Sequence, residues 1–254
     1  MAVTLSPIAH ADDAVRLFAA GSLKAAMGEV VKAYTAETDQ PVDTTFGPSG
    51  LLRGEIEKGA AADVFASANM KHPRALEKAG RGGPVRMFAR NQLCAIAQPG
   101  LAVTPESLLE VMLRDDVRVG TSTPKADPSG DYAFALFAKA ETLRAGARQA
   151  LETKALQLTG GPNSEKPPAG RNNYGWVMEN GKADLFLTYC TNARLAKAEV
   201  PGLQIVSIIP ALAVGADYGL TVLSAASAAE KLASFILSPK GQAILQGYGF
   251  SSAE

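Results

Sequence analysis

Four short segments place small polar residues at the start of a helical pattern. They are Gly21-Ser22 before Leu23, Gly47-Pro48-Ser49-Gly50 before Leu51, Asp127-Pro128-Ser129-Gly130 before Tyr132, and Arg171-Asn172-Asn173 before Tyr174. The first turn of a helix leaves about four backbone N–H groups without an intrahelical partner and carries roughly half a positive charge. Glycine lets a ligand approach the backbone closely, and a serine hydroxyl adds a donor. If the four segments converge, they form an anion cage that needs no net positive charge. Singly, each is an ordinary helix cap worth about 1 kcal/mol, so the chemistry rests on the set.

Strands must hold these segments in place. Apolar runs fall at residues 15–20, 63–68, 93–97, 117–119, 185–188, 203–209 and 220–223, with a further strand at 41–46. They alternate with helical patterns at 23–35, 51–58, 73–79, 132–142, 145–153, 174–179 and 226–237. That alternation predicts an α/β fold with mostly parallel strands. Such folds bind ligands at the carboxyl ends of their strands, where the four segments lie. The Gly- and Pro-rich stretch 159–170 reads as a loop of a length that is uncommon unless functional.

The 254 residues carry 25 Lys+Arg and 25 Asp+Glu, a zero balance that argues against a nucleic-acid partner. Hydrophobic residues make up 47% and charged residues 20%, which suits a globular chain with a large core. No apolar run approaches the roughly 18 residues of a transmembrane helix. The chain lacks a G-x-S-x-G elbow, a P-loop and a G-x-G-x-x-G turn. His72, between Lys71 and Pro73, reads as a surface turn residue, and Cys190 has no nearby histidine to activate it. No catalytic residue, cofactor or directly coordinated metal is therefore expected. Residues 1–11, with Ala9-His10-Ala11, read as the remnant of a secretion signal. Export would permit a disulfide between Cys94 and Cys190, but two buried thiols are the expectation.

Three segments carry a family resemblance. They are Leu17-Phe18-Ala19-Ala20-Gly21-Ser22-Leu23, Phe46-Gly47-Pro48-Ser49-Gly50, and Ala62-Asp63-Val64-Phe65-Ala66-Ser67-Ala68. With the C-terminal segment from Phe235 to Leu245 and Tyr248-Gly249-Phe250, they resemble the periplasmic molybdate-binding proteins of ABC importers, which are type II periplasmic solute-binding proteins. The resemblance implies a two-lobed periplasmic-binding-protein fold, each lobe a mostly parallel sheet flanked by helices, with the ligand cleft between them. It implies one lobe from 12–88 plus 216–254, a second from 89–215, and crossings near 87–91 and 214–218. It also implies a monomeric periplasmic protein that holds a molybdate- or tungstate-type oxyanion by hydrogen bonds and hands it to an ABC permease.

Carried onto this chain, the resemblance makes Ser22 and Ser49 the oxyanion-binding serines. Ser129 matches a backbone donor, Tyr189 the ligand-contacting tyrosine, and Arg171 falls by spacing near a further backbone-donor position. On this reading Ser22→Ala and Ser49→Ala each weaken binding and leave the free protein's melting temperature nearly unchanged. The chain departs from the family pattern around Thr123-Pro124-Lys125-Ala126-Asp127, and it carries charges at Asp127 and Arg171. Two alternatives stay open. Arg171 could fork onto an oxyanion while Asp127 pairs with it or meets a protonated ligand oxygen, which would favour phosphate or a small organic acid. Or Asp127 caps its helix and Arg171 faces solvent.

Overall fold

Strands and helices alternate through most of the described chain. A computed structural model describes residues 14–252, so the expected signal remnant at 1–11 lies outside it. The strand Val15–Ala20 (β1) buries five of its six residues. A 3-10 turn, Gly21–Leu23, runs directly into the helix Lys24–Thr38 (α1). Then come Val42–Gly47 (β2), Ser49–Glu57 (α2), Val64–Ser67 (β3) and Lys71–Lys78 (α3). The long strand Arg86–Ala97 (β4) follows, then Leu108–Leu113 (α4), Val119–Ser122 (β5), Pro128–Leu143 (α5), Ala147–Lys154 (α6) and Leu156–Thr159 (β6). The chain continues through Asn173–Glu179 (α7), Leu185–Tyr189 (β7), Cys190–Glu199 (α8), Gln204–Ser207 (β8) and Gly215–Val222 (β9). It closes with Ser227–Leu237 (α9) and Pro239–Gly247 (α10).

The strand order is β2-β1-β3-β9-β4-β7-β5-β6, with β8 added alongside β4. β1 is parallel to β2 and β3, and β5 is parallel to β6 and β7. These two parallel groups are joined by β9 and β4, which run antiparallel to each other. β4 belongs to both sides. Its first part, from Arg86 to Gln92, pairs with β9, and its second, from Leu93 to Ala97, pairs with β7 and β8. Only the second part is an apolar run. The first carries Arg86, Arg90, Asn91 and Gln92, which hides a strand from a hydrophobicity pattern. A register shift between Met87 and Ala89 interrupts the β9 pairing, and the change of side comes later, between Gln92 and Leu93. The C-terminal helical stretch is two helices, not one. Ser238 ends α9 and its hydroxyl accepts the Gly241 N–H to cap α10, with Pro239 in that helix's first turn.

Two expectations are corrected here. Cys94 and Cys190 form a disulfide, not two buried thiols, with Cα atoms 4.8 Å apart. The antiparallel register sets Cys94 opposite Thr188, so Cys190 lies just beyond at the end of β7. A separation of 96 residues conceals that proximity in the sequence. His72 is not a surface turn residue. It is 3% exposed, because the helical phase of α3 puts His72, Pro73 and Leu76 on the buried face. Among the described residues no helix is long and apolar enough to cross a membrane.

Candidate functional site at converging helix starts

Ser22, Ser49 and Tyr189 sit around one narrow seam between the two parallel groups of strands. β1 and β2 end side by side, with Ala20 opposite Gly47 in the register, so the helical turns that follow begin together. Ser22 lies in the 3-10 turn after β1, and its hydroxyl shares a hydrogen bond of 3.0 Å with the Tyr218 hydroxyl. The Asn91 side-chain amide donates to that same tyrosine oxygen at 3.4 Å and to Thr191 Oγ1 at 2.8 Å. Ser49 opens α2 and is buried, with its Oγ accepting the Ala68 N–H at 3.1 Å. The Ala68 carbonyl in turn accepts the Tyr189 hydroxyl at 3.3 Å. The Tyr189 ring packs 5.6 Å from Tyr218 and 6.1 Å from Tyr132. Burial holds the hydroxyls of Tyr189 and Tyr218 well above the ordinary tyrosine range, so both are neutral donors at any physiological pH.

The second side closes on the first through the turn before α5. The Gly50 N–H donates to the Ala126 carbonyl at 2.9 Å. Ser129 is fully buried near the start of α5, and its hydroxyl has no hydrogen-bond partner among the described residues. Its backbone N–H, the group that the family pattern assigns to the ligand, donates to Asp127 Oδ1 at 3.0 Å. Asp127 therefore caps α5, as the second alternative had it. Its residue is half-buried, but its carboxyl is enclosed. That burial pushes the carboxyl up to about 6 against the opposing pull of the Ser129 N–H, leaving it ionised at neutral pH.

Arg171 lies outside this seam's hydrogen-bond network. Its guanidinium donates to Glu199 at 2.6 Å and to Glu179 at 2.5 Å, so both arms of the fork are engaged. The N-terminus of α7 is likewise occupied, with Asn172 Oδ1 accepting the Gly175 N–H. Tyr174 is the member of that segment which reaches inward. Its ring packs 5.3 Å from Phe186, and burial pushes its hydroxyl up to about 12. Sequence reasoning passed over Tyr218, Asn91 and Tyr132. Tyr218 and Asn91 lie in the crossing strands, far from any helix start, and nothing in their neighbourhood in sequence marks them.

Ser22 and Ser49 differ in what else they hold. Loss of the Ser22 hydroxyl leaves Tyr218 with its Asn91 partner, so Ser22→Ala keeps the melting temperature of the free protein within about a degree. Ser49→Ala leaves the buried Ala68 N–H without an acceptor, a penalty of about 1–3 kcal/mol. A fall of several degrees is expected for Ser49→Ala by calorimetry, while equal melting temperatures for the two variants would contradict the assignment. This departs from the expectation that neither serine matters to stability.

The chain is similar to known proteins over most of its length. The sequence profile described as bacterial extracellular solute-binding protein matches residues 15–251. An uncharacterised protein of Pasteurella multocida (strain Pm70) is 35% identical over 240 residues, covering 94% of this chain and 99% of its own. The molybdate-binding protein ModA of Escherichia coli (strain K12) is 24% identical over 246 residues, 93% of this chain and 88% of its own. Among solved structures, the sulfate-binding protein SubI of Mycobacterium tuberculosis H37Rv superposes with a TM-score of 0.77 at 17% identity, over 95% of this chain and 87% of that one.

Proposed function

The chain belongs to the bacterial extracellular solute-binding protein family, a family of binding proteins and not enzymes, and from that premise we propose that it captures a tetrahedral oxyanion at the seam and delivers it to an ABC permease. One observation carries the proposal. The helix starts at Gly21 and Ser49 lie side by side, and two neutral tyrosine hydroxyls bond to Ser22 and to Ala68 beside them, which concentrates donors without a cation. Molybdate and tungstate are acceptor-only dianions at neutral pH, and a cage of donors suits them. The ModA relative supports that choice. Ser22, Ser49, Tyr189 and the Ser129 hydroxyl are the proposed ligand groups, with Tyr218 positioning Ser22. We leave Arg171 out, because two carboxylates hold it. A ligand that touches both sides binds the closed form better than the open form, and only that difference shifts the population. The closed form in the periplasm is then what the permease recognises.

A second reading has its own support in Asp127. An ionised carboxylate on the Ser129 N–H neutralises the α5 terminus and repels a second dianion. It welcomes a ligand oxygen that carries a proton, as in hydrogen phosphate or a protonated organic acid. Asp127→Asn separates the two readings, since asparagine caps a helix as well as aspartate does. For an acceptor-only ligand the variant binds molybdate about tenfold more tightly, a gain of about 1.4 kcal/mol. For a proton-bearing ligand it binds phosphate more weakly.

The test is a thermal-shift panel of molybdate, tungstate, sulfate, phosphate and small carboxylates on protein refolded from denaturant. A ligand at about 100 times its Kd adds roughly 2.7 kcal/mol. Selective stabilisation by molybdate and tungstate supports the first reading. Stabilisation by phosphate or a carboxylate alone moves the assignment to the second, and no response to any anion removes the oxyanion proposal.

A further inference from the structure

The contact at Gly50 is built from both sides of the seam. Gly50 is the second residue of α2, so its N–H has no intrahelical acceptor. It donates instead across the seam to the Ala126 carbonyl at 2.9 Å. A Cβ added at Gly50 would lie 2.2 Å from the Lys125 carbonyl oxygen and 2.7 Å from that of Ala126. Both are backbone atoms, which cannot swing aside as a flexible side chain would.

The facing turn is held in the conformation that aims those carbonyls. Lys125 has φ +69°, a left-handed conformation that a lysine rarely takes. Its N–H donates to Asp131 Oδ1 at 2.8 Å, and the Asp127 N–H donates to the Thr123 carbonyl at 2.9 Å. The positive end of α2 thus meets two oriented carbonyl dipoles. Beside it, the Tyr189 hydroxyl makes a second bond across the seam to Ala68.

We propose that Gly50 is a positioning residue for capture: the missing side chain lets the start of α2 clasp the carbonyls of the Lys125-Ala126 turn and hold the two lobes shut. The inference rests on the proposed two-lobe capture, but not on which anion is captured. It makes an unusual demand on sequence at this point. Alanine is a better helix former than glycine, so local propensity within α2 favours Gly50→Ala. Only the turn on the opposite side forbids it.

Small-angle scattering and amide exchange on refolded protein without added anion test the clasp. A compact chain of 254 residues has a radius of gyration of about 18 Å. Gly50→Ala is expected to raise the radius above the wild-type value while far-UV circular dichroism is unchanged. Gly54→Ala is the control, since it lies in the same helix and a Cβ there meets nothing within 4 Å. It is expected to keep the wild-type radius. The Gly50 amide of the wild type should exchange at least tenfold more slowly than in an unstructured chain. With whichever of molybdate, tungstate or phosphate stabilises the wild type, Gly50→Ala should raise Kd at least tenfold and Gly54→Ala should not.

An unchanged radius in Gly50→Ala, or a Gly50 amide that exchanges at the unstructured rate, overturns the clasp. The amide measurement decides the matter if Gly50→Ala fails to fold. The scattering and exchange readouts need no ligand, so a failed anion panel with a protected Gly50 amide would sink the oxyanion proposal and leave the clasp standing.

Discussion

Removing the Cys94–Cys190 disulfide is expected to lower the melting temperature by roughly 10 °C. The bond ties residues 96 apart, so it closes a long loop in the unfolded chain. Chain-entropy reasoning assigns about 4–5 kcal/mol to a loop of that length. Each kcal/mol moves the melting point of a chain this size by about 2–4 °C. Folded-state contacts change little, because the bond joins residues that the β4–β7 register already holds close. Calorimetry on the native protein, the reduced protein and a Cys94→Ala/Cys190→Ala variant checks this. A shift below about 2 °C in both altered forms would show that the unfolded chain is not constrained by the bond. The bond also has a place in the site. Cys190 follows Tyr189 directly, and Tyr189 pairs with Leu93 within β4, so the disulfide fixes the end of β7, which presents the tyrosine hydroxyl.

His72 is expected to make the protein acid-labile over a defined range. Burial, with lesser repulsion from Arg53 and Lys71, depresses the imidazole from its usual value near 6.5 to about 4. Both ring nitrogens are buried without a hydrogen-bond partner among the described residues, so no acceptor there rewards its charging. The folded state therefore holds this imidazole neutral, while the unfolded chain takes up a proton as the pH falls below about 6.5. Stability from this residue is fully present above pH 6.5 and is lost progressively down to about pH 4. A shift of this size corresponds to roughly 3 kcal/mol. His72→Leu removes the titrating group and leaves no hydrogen bond broken. Urea unfolding at a series of pH values between 7.5 and 4 should show a steeper decline for the wild type than for the variant. Parallel declines would mean that acid stability is governed by the carboxylates alone.

The contrast between Cys190 and Ser49 shows where reading a sequence works. Ser49 announces itself, because a strand that ends in Gly-Pro-Ser-Gly before a helical pattern has few other local solutions. Cys190 looks like an isolated thiol until the β4–β7 register is known. The same holds at the second side of the site. Asp127 before Pro128 is legible as a helix cap, yet its enclosure against Ser122 is a fact of packing. Arg171 shows the opposite failure. It precedes α7, where its spacing suggests a donor, but Glu199 from another helix claims the guanidinium.

The sequence by itself determined the α/β alternation, the four helix starts and the resemblance to oxyanion-binding proteins. Those features are local: hydrophobic period, cap chemistry and turn residues act within about ten positions of one another. The tertiary structure alone decided that Tyr218 and Asn91 stand beside Ser22, and that Ser49 and Tyr189 both bond to the backbone of Ala68. It also decided that Gly50 must stay without a side chain. Each of these depends on strand order and register, which bring together residues about twenty to two hundred positions apart, and no local propensity encodes such a meeting.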